Sequence, residues 1–240
     1  DRQANPAMRE QMLALAILGA RNEPLEHVLS AVAKIDDSAL ADKILNWVYF
    51  ERAQQAIKDN KLDEGRKLAA KVVELDQRAY LYSRIAEDSV KNTTNDQETR
   101  DLLEEVVTGA VKAPDTEVKA RTLLGIAYLY TKLDPNRSIA ILSDAAKCIN
   151  HIESPDFSHD YVRRKIEGRS FGSYASFTTP GFNPENGFRE IGNVDFDGSL
   201  YLASNLADKA LRAMTTLALA EQCLKNSPRP PPAQKSLKPK

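Results

Sequence analysis

Helical spacing of apolar residues, repeated along the first 155 residues, constrains this chain more than any other feature. Leu25, Val28 and Val32 recur at i, i+3 and i+7, the spacing of one buried helical face. The same spacing runs from about residue 37 to 59, through Leu40, Ile44 and Trp47 and beyond. Polar breaks separate further segments of this kind, at 78–90 and 98–113 among others. The pattern predicts an all-α fold built from successive amphipathic helices.

Small residues at matched positions indicate that these helices pack in pairs. Gly65 and Ala69 stand on the helix after a turn at residues 58–61, and Ala53 and Ala56 stand on the helix before it. This segment resembles the second half of a tetratricopeptide repeat, and the stretch Leu124-Gly-Ile-Ala-Tyr128 resembles the Leu-Gly-x-x-Tyr core of that repeat's first helix. The resemblance implies an irregular α-solenoid of helix hairpins over residues 1–155, with repeats roughly 35 to 40 residues apart.

Composition changes abruptly at residues 156–198, which we interpret as an insertion. Six of the seven phenylalanines and six of the ten glycines lie between Phe157 and Tyr201. Residues 161–166 and 170–177 flank Gly168 in the manner of two strands around a turn, which predicts a small β-hairpin. A short helix is expected at 184–191.

Two more segments complete the chain. Residues 199–226 predict closing helices, with Asp197 as a helix cap and a break near Asn205. Residues 227–240 are basic and rich in proline, which favours an extended tail. The two cysteines, Cys148 and Cys223, suit either one disulfide in an exported protein or two small core side chains.

Motifs for catalysis or cofactor binding are absent from the sequence. It has no phosphate-binding loop, dinucleotide fingerprint or nucleophile elbow, and His151 and His159 lack the spacing of metal ligands. The run from Asn193 to Gly198 imitates the opening of a calcium loop, but Ser204 stands where a bidentate glutamate is needed. We therefore expect no enzyme activity, no cofactor and no metal site.

A basic cluster in the expected hairpin is formed by Arg163, Arg164, Lys165 and Arg169. With nearby aromatic residues it could contact phosphates and stack on bases, but a net charge of -1 gives nucleic acid little attraction. We interpret the cluster as the solvated face of the hairpin. The longest apolar run, residues 12–18, is far shorter than the ~20 residues that span a bilayer, so no membrane span is expected.

The resemblance to helical repeats implies a protein-binding scaffold, since such solenoids bind peptides or proteins on the concave face of their first helices. Side chains expected to line that face are Trp47, Tyr49, Arg52, Gln55, Arg121, Tyr128 and Lys132. The alternative is a structural protein that assembles end to end through the aromatic insertion, with Phe171, Tyr174 and Phe177 at the joint. The partner is thus a protein or peptide, including a second copy of the chain.

Localisation is only weakly indicated by the sequence. The chain starts at Asp1 without an initiator methionine, which indicates processing or a fragment of a longer precursor. Its layout is similar to that of bacterial proteins with helical repeats, an aromatic insert and a proline-rich end. This start, the pair of cysteines and the layout favour an exported bacterial protein.

Overall fold

The computed structural model describes residues 6–91, 96–159, 161–167 and 171–226. Within these ranges the chain forms eleven α-helices, one two-stranded antiparallel sheet and one 3-10 turn. The helices are α1 Pro6–Gly19, α2 Leu25–Val32, α3 Ser38–Lys58, α4 Leu62–Ala69, α5 Leu75–Lys91, α6 Asp96–Lys112, α7 Glu117–Tyr130, α8 Pro135–His151, α9 Pro184–Gly192, α10 Phe196–Ser204 and α11 Lys209–Asn226. The strands are β1 Tyr161–Glu167 and β2 Gly172–Thr178, and the 3-10 turn is Pro180–Phe182. The predicted tail at 227–240, Gly168 of the predicted hairpin turn and Arg169 lie outside the described residues.

Side-chain caps fix where several helices begin. Asp37, Thr116 and Asp134 each accept a hydrogen bond from the backbone N–H three residues later, at the starts of α3, α7 and α8. A cap of this kind satisfies one of the N–H groups that a helix start leaves without a partner. Asn60, just after α3, has a φ of 58°, a left-handed conformation that asparagine tolerates and that turns the chain into α4.

Consecutive helices pack in pairs, as their small residues predict. α3 packs on α4, α5 on α6 and α7 on α8, and α5 also contacts both α3 and α7. Gly65 of α4 allows the close approach in the first pair, since a Cβ there would lie 2.9 Å from Ile57 Cγ1. The mostly helical architecture with a small sheet near the C-terminus is therefore confirmed.

Helix α7 occupies the middle of the main core. Ten of its residues are buried, because α5, α6, α8, α9 and the 3-10 turn all pack around it. Its Gly125 is covered by Phe182, and a Cβ at Gly125 would overlap that ring. An aromatic side chain of the insertion thus fills the space beside Gly125, the residue that resembles the glycine of the repeat.

The insertion contains the predicted hairpin, with Val162 opposite Phe177 and Lys165 opposite Tyr174. Burial alternates along β1, so Val162, Arg164 and Ile166 face inward, whereas Arg163 and Lys165 face outward. The expectation that the whole basic cluster is solvated is therefore wrong for Arg164, whose side chain is only 4% exposed. A period of two places it on the same face as its buried neighbours.

The closing helices also follow the sequence, with one correction. α10 and α11 are separated at residues 205–208, which confirms the break expected near Asn205. The cap of α10 is Asp195, which accepts a 2.9 Å hydrogen bond from Gly198 N, and not Asp197 as predicted. Cys148 is buried and Cys223 is exposed, and the two do not form a disulfide with each other.

Candidate functional site

An open cleft of about 610 Å³ lies between α3, the connection from α4 to α5, the start of α7 and strand β1. α3 contributes Trp47 and Tyr49 to its lining, and the connection contributes Lys71 and Val73. Four segments that are far apart in the sequence therefore meet here. A cleft of this volume is within the range that binds small molecules or peptide side chains.

A chain of amide side chains holds the cleft together. Asn46 Oδ1 accepts a hydrogen bond from Val73 N at 2.8 Å, and Asn46 Nδ2 donates to Gln77 Oε1 at 2.9 Å. Gln77 is buried, and its Nε2 donates to the carbonyl oxygen of Arg163 at 3.2 Å. Two side chains thus tie α3, the α4–α5 connection, α5 and β1 to one another. These hydrogen bonds fix the positions of the cleft walls relative to one another.

Asp76, in the first turn of α5, gives the cleft a carboxyl group with an altered pKa. The pKa of Asp76 is raised from 3.8 to about 6, chiefly by burial; the hydrogen bond from Gln77 N opposes this rise, and the nearby Glu74 carboxylate adds to it. The N–H of Gln77 lies 2.8 Å from Asp76 Oδ1. A carboxyl group titrating near pH 6 in a cleft is a candidate for a functional role.

Cations from three segments surround the cleft. Lys43 lies on α3, Lys71 lies 5.1 Å from the centre of the Tyr49 ring, and Arg163 and Lys165 come from the outer face of β1. Of these, Lys165 forms an ion pair of 2.7 Å with Glu167. The acidic residues in the lining are Asp42, Glu74 and Asp76. Because Asp76 loses its charge below about pH 6, the cleft becomes more positive as the pH falls.

Arg164 forms the inner wall of the cleft. Its guanidinium lies 3.6 Å from the centre of the Trp47 ring and 5.0 Å from that of Phe50, and it forms an ion pair with Glu51. Burial lowers the pKa of Arg164, while Glu51 opposes the change. Arginine stacked on aromatic rings and paired with a carboxylate holds β1 against α3.

The structure brings only some of the predicted binding residues together. Trp47 is buried and Tyr49 is half-buried, and both line the cleft. Arg52, farther along α3, donates to the carbonyl oxygens of Ala20 and Glu23. Gln55 is exposed and donates to Asp59 at 2.9 Å. Arg52 and Gln55 are therefore hydrogen-bonded to residues outside the cleft.

The predicted residues Arg121, Tyr128 and Lys132, on α7 or just after it, do not line the cleft. Arg121 is buried, donates to the carbonyl oxygens of Asp156 and His159, and stacks on Phe157. Tyr128 is covered by Gly181, where a Cβ would lie 2.6 Å from Tyr128 Cβ. Lys132 is exposed beyond the end of α7.

Of the predicted insertion residues, Phe171 and Phe177 are half-buried and Tyr174 is exposed. Phe171 packs against the cluster formed by α1, α2 and α3, and Phe177 packs against Phe50 and Tyr80, with ring centres 5.0 and 5.2 Å away. Tyr174 is 80% exposed on the outer face of the hairpin.

Sequence reasoning missed Asn46, Asp76 and Gln77, among other residues of the cleft, and it assigned Arg163 only to the solvated basic cluster of the hairpin. Only Asn46 gave a signal, because an amide between Leu45 and Trp47 interrupts an apolar stretch of α3. The others act through long-range contacts, such as the bond between Gln77 and Arg163, which are 86 residues apart.

The remaining polar clusters have structural partners. His151 Nδ1 lies 2.7 Å from Asp115 Oδ2, and the ring of His159 stacks on that of Tyr161 with centres 5.0 Å apart. Burial raises the pKa of the Cys148 thiol to about 11, which disfavours the reactive thiolate. Across the described ranges, no group of three or more His, Cys, Asp or Glu side chains is placed to hold a metal ion.

Similarity to known proteins gives no indication of function, so the cleft is the main guide to it. None of the helices in the described ranges has the length and hydrophobicity needed to span a bilayer. No protein-family model, curated protein sequence or solved structure matches the chain.

Proposed function

We propose that this chain is a non-enzymatic interaction scaffold that binds an extended peptide segment of a protein partner in the cleft between α3 and β1. The observation that carries the proposal is the cleft itself, where aromatic, apolar and cationic side chains converge on a floor held by Asn46 and Gln77. The mixture suits a polypeptide, because amide groups, apolar patches and charges each match a part of a peptide chain.

The repeat architecture supports the same proposal. The pairs α3/α4, α5/α6 and α7/α8 follow one another, and α5 contacts both α3 and α7, as the first helices of stacked repeats do. Gly65, Ala69 and Ala53 are buried where tetratricopeptide repeats place small residues. We therefore propose that the helical part is an irregular tetratricopeptide-like solenoid.

The insertion covers the surface of α7 but leaves the cleft beside α3 open. Gly181 covers Tyr128, and Phe182 covers Gly125, so the chain itself occupies the surface of α7. At the other end, β1 lies against α3 and α5 and leaves the cleft between them. The partner thus binds near Trp47 and Tyr49 rather than near α7.

Charge narrows the chemistry of the partner. Lys43, Lys71 and Arg163 are not paired with a carboxylate in the ion pairs of the described residues, whereas Lys165 is paired with Glu167. A peptide with acidic side chains would give these cations partners. Its affinity should fall with added salt, because ion pairs at an exposed rim are screened.

Burial of the aromatic rings argues against the alternative of assembly through those rings. Phe157, Phe182 and Phe188 are buried, and Phe171 and Phe177 are half-buried, whereas Phe196 is 37% and Tyr174 80% exposed. The insertion therefore presents few aromatic rings to a neighbouring molecule.

Selection from a random peptide library displayed on phage, followed by calorimetry with the synthetic peptide, tests this function. We expect selected peptides to be enriched in Asp and Glu. The double variant Lys71→Glu/Arg163→Glu should weaken binding at least about tenfold by reversing two charges at the rim. The matched control is Lys67→Glu, which changes an exposed lysine of α4 outside the cleft.

Either of two results would contradict the proposal. One is selection of peptides whose binding is unaffected by the double variant. The other is loss of binding in Lys132→Glu with no loss in the double variant, which would place the partner near α7.

A further inference from the structure

Strand β2 has an outer edge that no strand of the described residues pairs with. Among the described residues its backbone is hydrogen-bonded only to β1, which lies on its other side. The inward-facing residues of β2 remain half-exposed, including the small Ser173 and Ala175, whereas those of β1 are buried. The half-exposure of these residues agrees with an edge that no described element covers. Because alternate residues of an antiparallel strand bond to each neighbour, every second residue of β2 has N–H and C=O groups directed towards an incoming strand.

The strand lacks the features that protect an edge from pairing. Residues 172–178 read Gly-Ser-Tyr-Ala-Ser-Phe-Thr, with no charged residue and no proline. Soluble monomers usually blunt such an edge with lysine, proline or an inward-pointing charge. β1 differs, because it carries four charged residues and its Arg163 carbonyl oxygen accepts a hydrogen bond from Gln77.

We infer that β2 pairs in antiparallel fashion with β2 of a second copy of the chain, centred on Ala175, to join two hairpins into one four-stranded sheet. In this pairing Tyr174 lies opposite Ser176 of the partner copy, and Ser173 lies opposite Phe177 of the partner copy. A twofold axis through Ala175 makes the contact isologous, so the assembly closes as a dimer.

The residues of β2 fit this self-pairing. Each large side chain meets a small one, so no steric conflict arises on either face, and no like charges are opposed. The edge of one copy supplies the donors and acceptors that the edge of the other copy lacks. An extended peptide of another protein could also meet the backbone requirement, but a second copy supplies a strand of matching length and side-chain pattern.

Charge substitution on the outer face tests the inference with the hairpin preserved. Tyr174 and Ser176 are exposed, and within the hairpin they lie opposite Lys165 and Arg163. The variant Tyr174→Glu/Ser176→Glu therefore favours pairing with β1 but opposes glutamates of the two copies to each other. The control Tyr174→Gln/Ser176→Gln has side chains of the same size without charge.

Analytical ultracentrifugation of the full chain over a range of concentrations gives the readout. We expect a reversible dimer for the wild type and the Gln variant, and a shift to monomer for the Glu variant, with the circular dichroism of all three unchanged. Hydrogen exchange of the wild type is an independent readout, and the amides of residues 172–178 should become more protected as the concentration rises.

Three results would overturn the inference. A wild-type chain that stays monomeric at all concentrations would do so, as would a Glu variant that dimerises as strongly as the Gln variant. Protection of residues 172–178 only after addition of a selected peptide would assign the edge to another protein.

Discussion

Replacement of Asp76 by asparagine is expected to remove a pH-dependent loss of stability. Asparagine has the shape of a protonated aspartate and keeps the oxygen that accepts the hydrogen bond from Gln77 N. It cannot acquire the charge that burial disfavours in this cleft. The variant should therefore retain at all pH values the stability that the wild type has only when Asp76 is protonated.

The magnitude follows from the pKa of Asp76, which is about 6 in the folded chain against an ordinary value of 3.8. The folded state thus binds the proton more tightly than the unfolded state, and this contribution to stability is full below pH 3.8. It is lost as the pH rises through about 6. The difference corresponds to about 3 kcal/mol between the two protonation states.

Urea unfolding at pH 4 and at pH 8 measures this effect. We expect Asp76→Asn to match the wild type at pH 4 and to exceed its free energy of unfolding by about 3 kcal/mol at pH 8. The melting temperature at pH 8 should rise by roughly 6 to 12 °C. Asp63→Asn, at an exposed carboxylate of α4, is the control and should change stability by less than about 0.5 kcal/mol. Equal pH dependence in the wild type and Asp76→Asn would refute the reasoning.

Three further substitutions test packing on α7 and around the cleft, each by urea unfolding. Gly125→Ala should destabilise the chain by about 1–3 kcal/mol, because the new methyl group overlaps the Phe182 ring. Adding Phe182→Leu should recover part of this loss. Unchanged stability of Gly125→Ala would contradict the contact. Glu51→Gln should lower the free energy of unfolding by about 3 kcal/mol, because the buried Arg164 loses its partner carboxylate. Adding Arg164→Met should restore much of this stability. A Glu51→Gln variant as stable as the wild type would contradict the ion pair. Asn46→Ala should lower the free energy of unfolding by about 1–3 kcal/mol and speed hydrogen exchange at residues 73–74, whose N–H groups bond to Asn46. Unaltered exchange at these residues would contradict the role of Asn46 in holding the α4–α5 connection.

Local patterns predicted the elements of the fold well. The spacing of apolar residues placed α3 within one residue of its observed ends, since each turn of an amphipathic helix repeats the signal. Glycine and aromatic content predicted the hairpin, and the break near Asn205 separated α10 from α11. The predicted cap of α10 was two residues too late, because Asp195 and Asp197 are both suitable cap residues and only the backbone geometry distinguishes them.

The candidate site was predicted only in part. Trp47 and Tyr49 were identified from their place on α3, but their neighbours Asp76 and Arg163 reach the cleft through tertiary packing that no local pattern encodes. The position of Arg164 was available from the alternation along β1. The preference of arginine for solvent pointed the other way, and the aromatic rings and Glu51 that make its burial possible come from α3, more than a hundred residues away.

The most direct test of the central claim is hydrogen exchange of the chain with and without a peptide from the library selection. Binding in the cleft predicts increased protection at residues 71–77 and 163–165, with residues 125–132 unchanged. Protection confined to α7, or to any surface outside the walls of the cleft, would contradict the account.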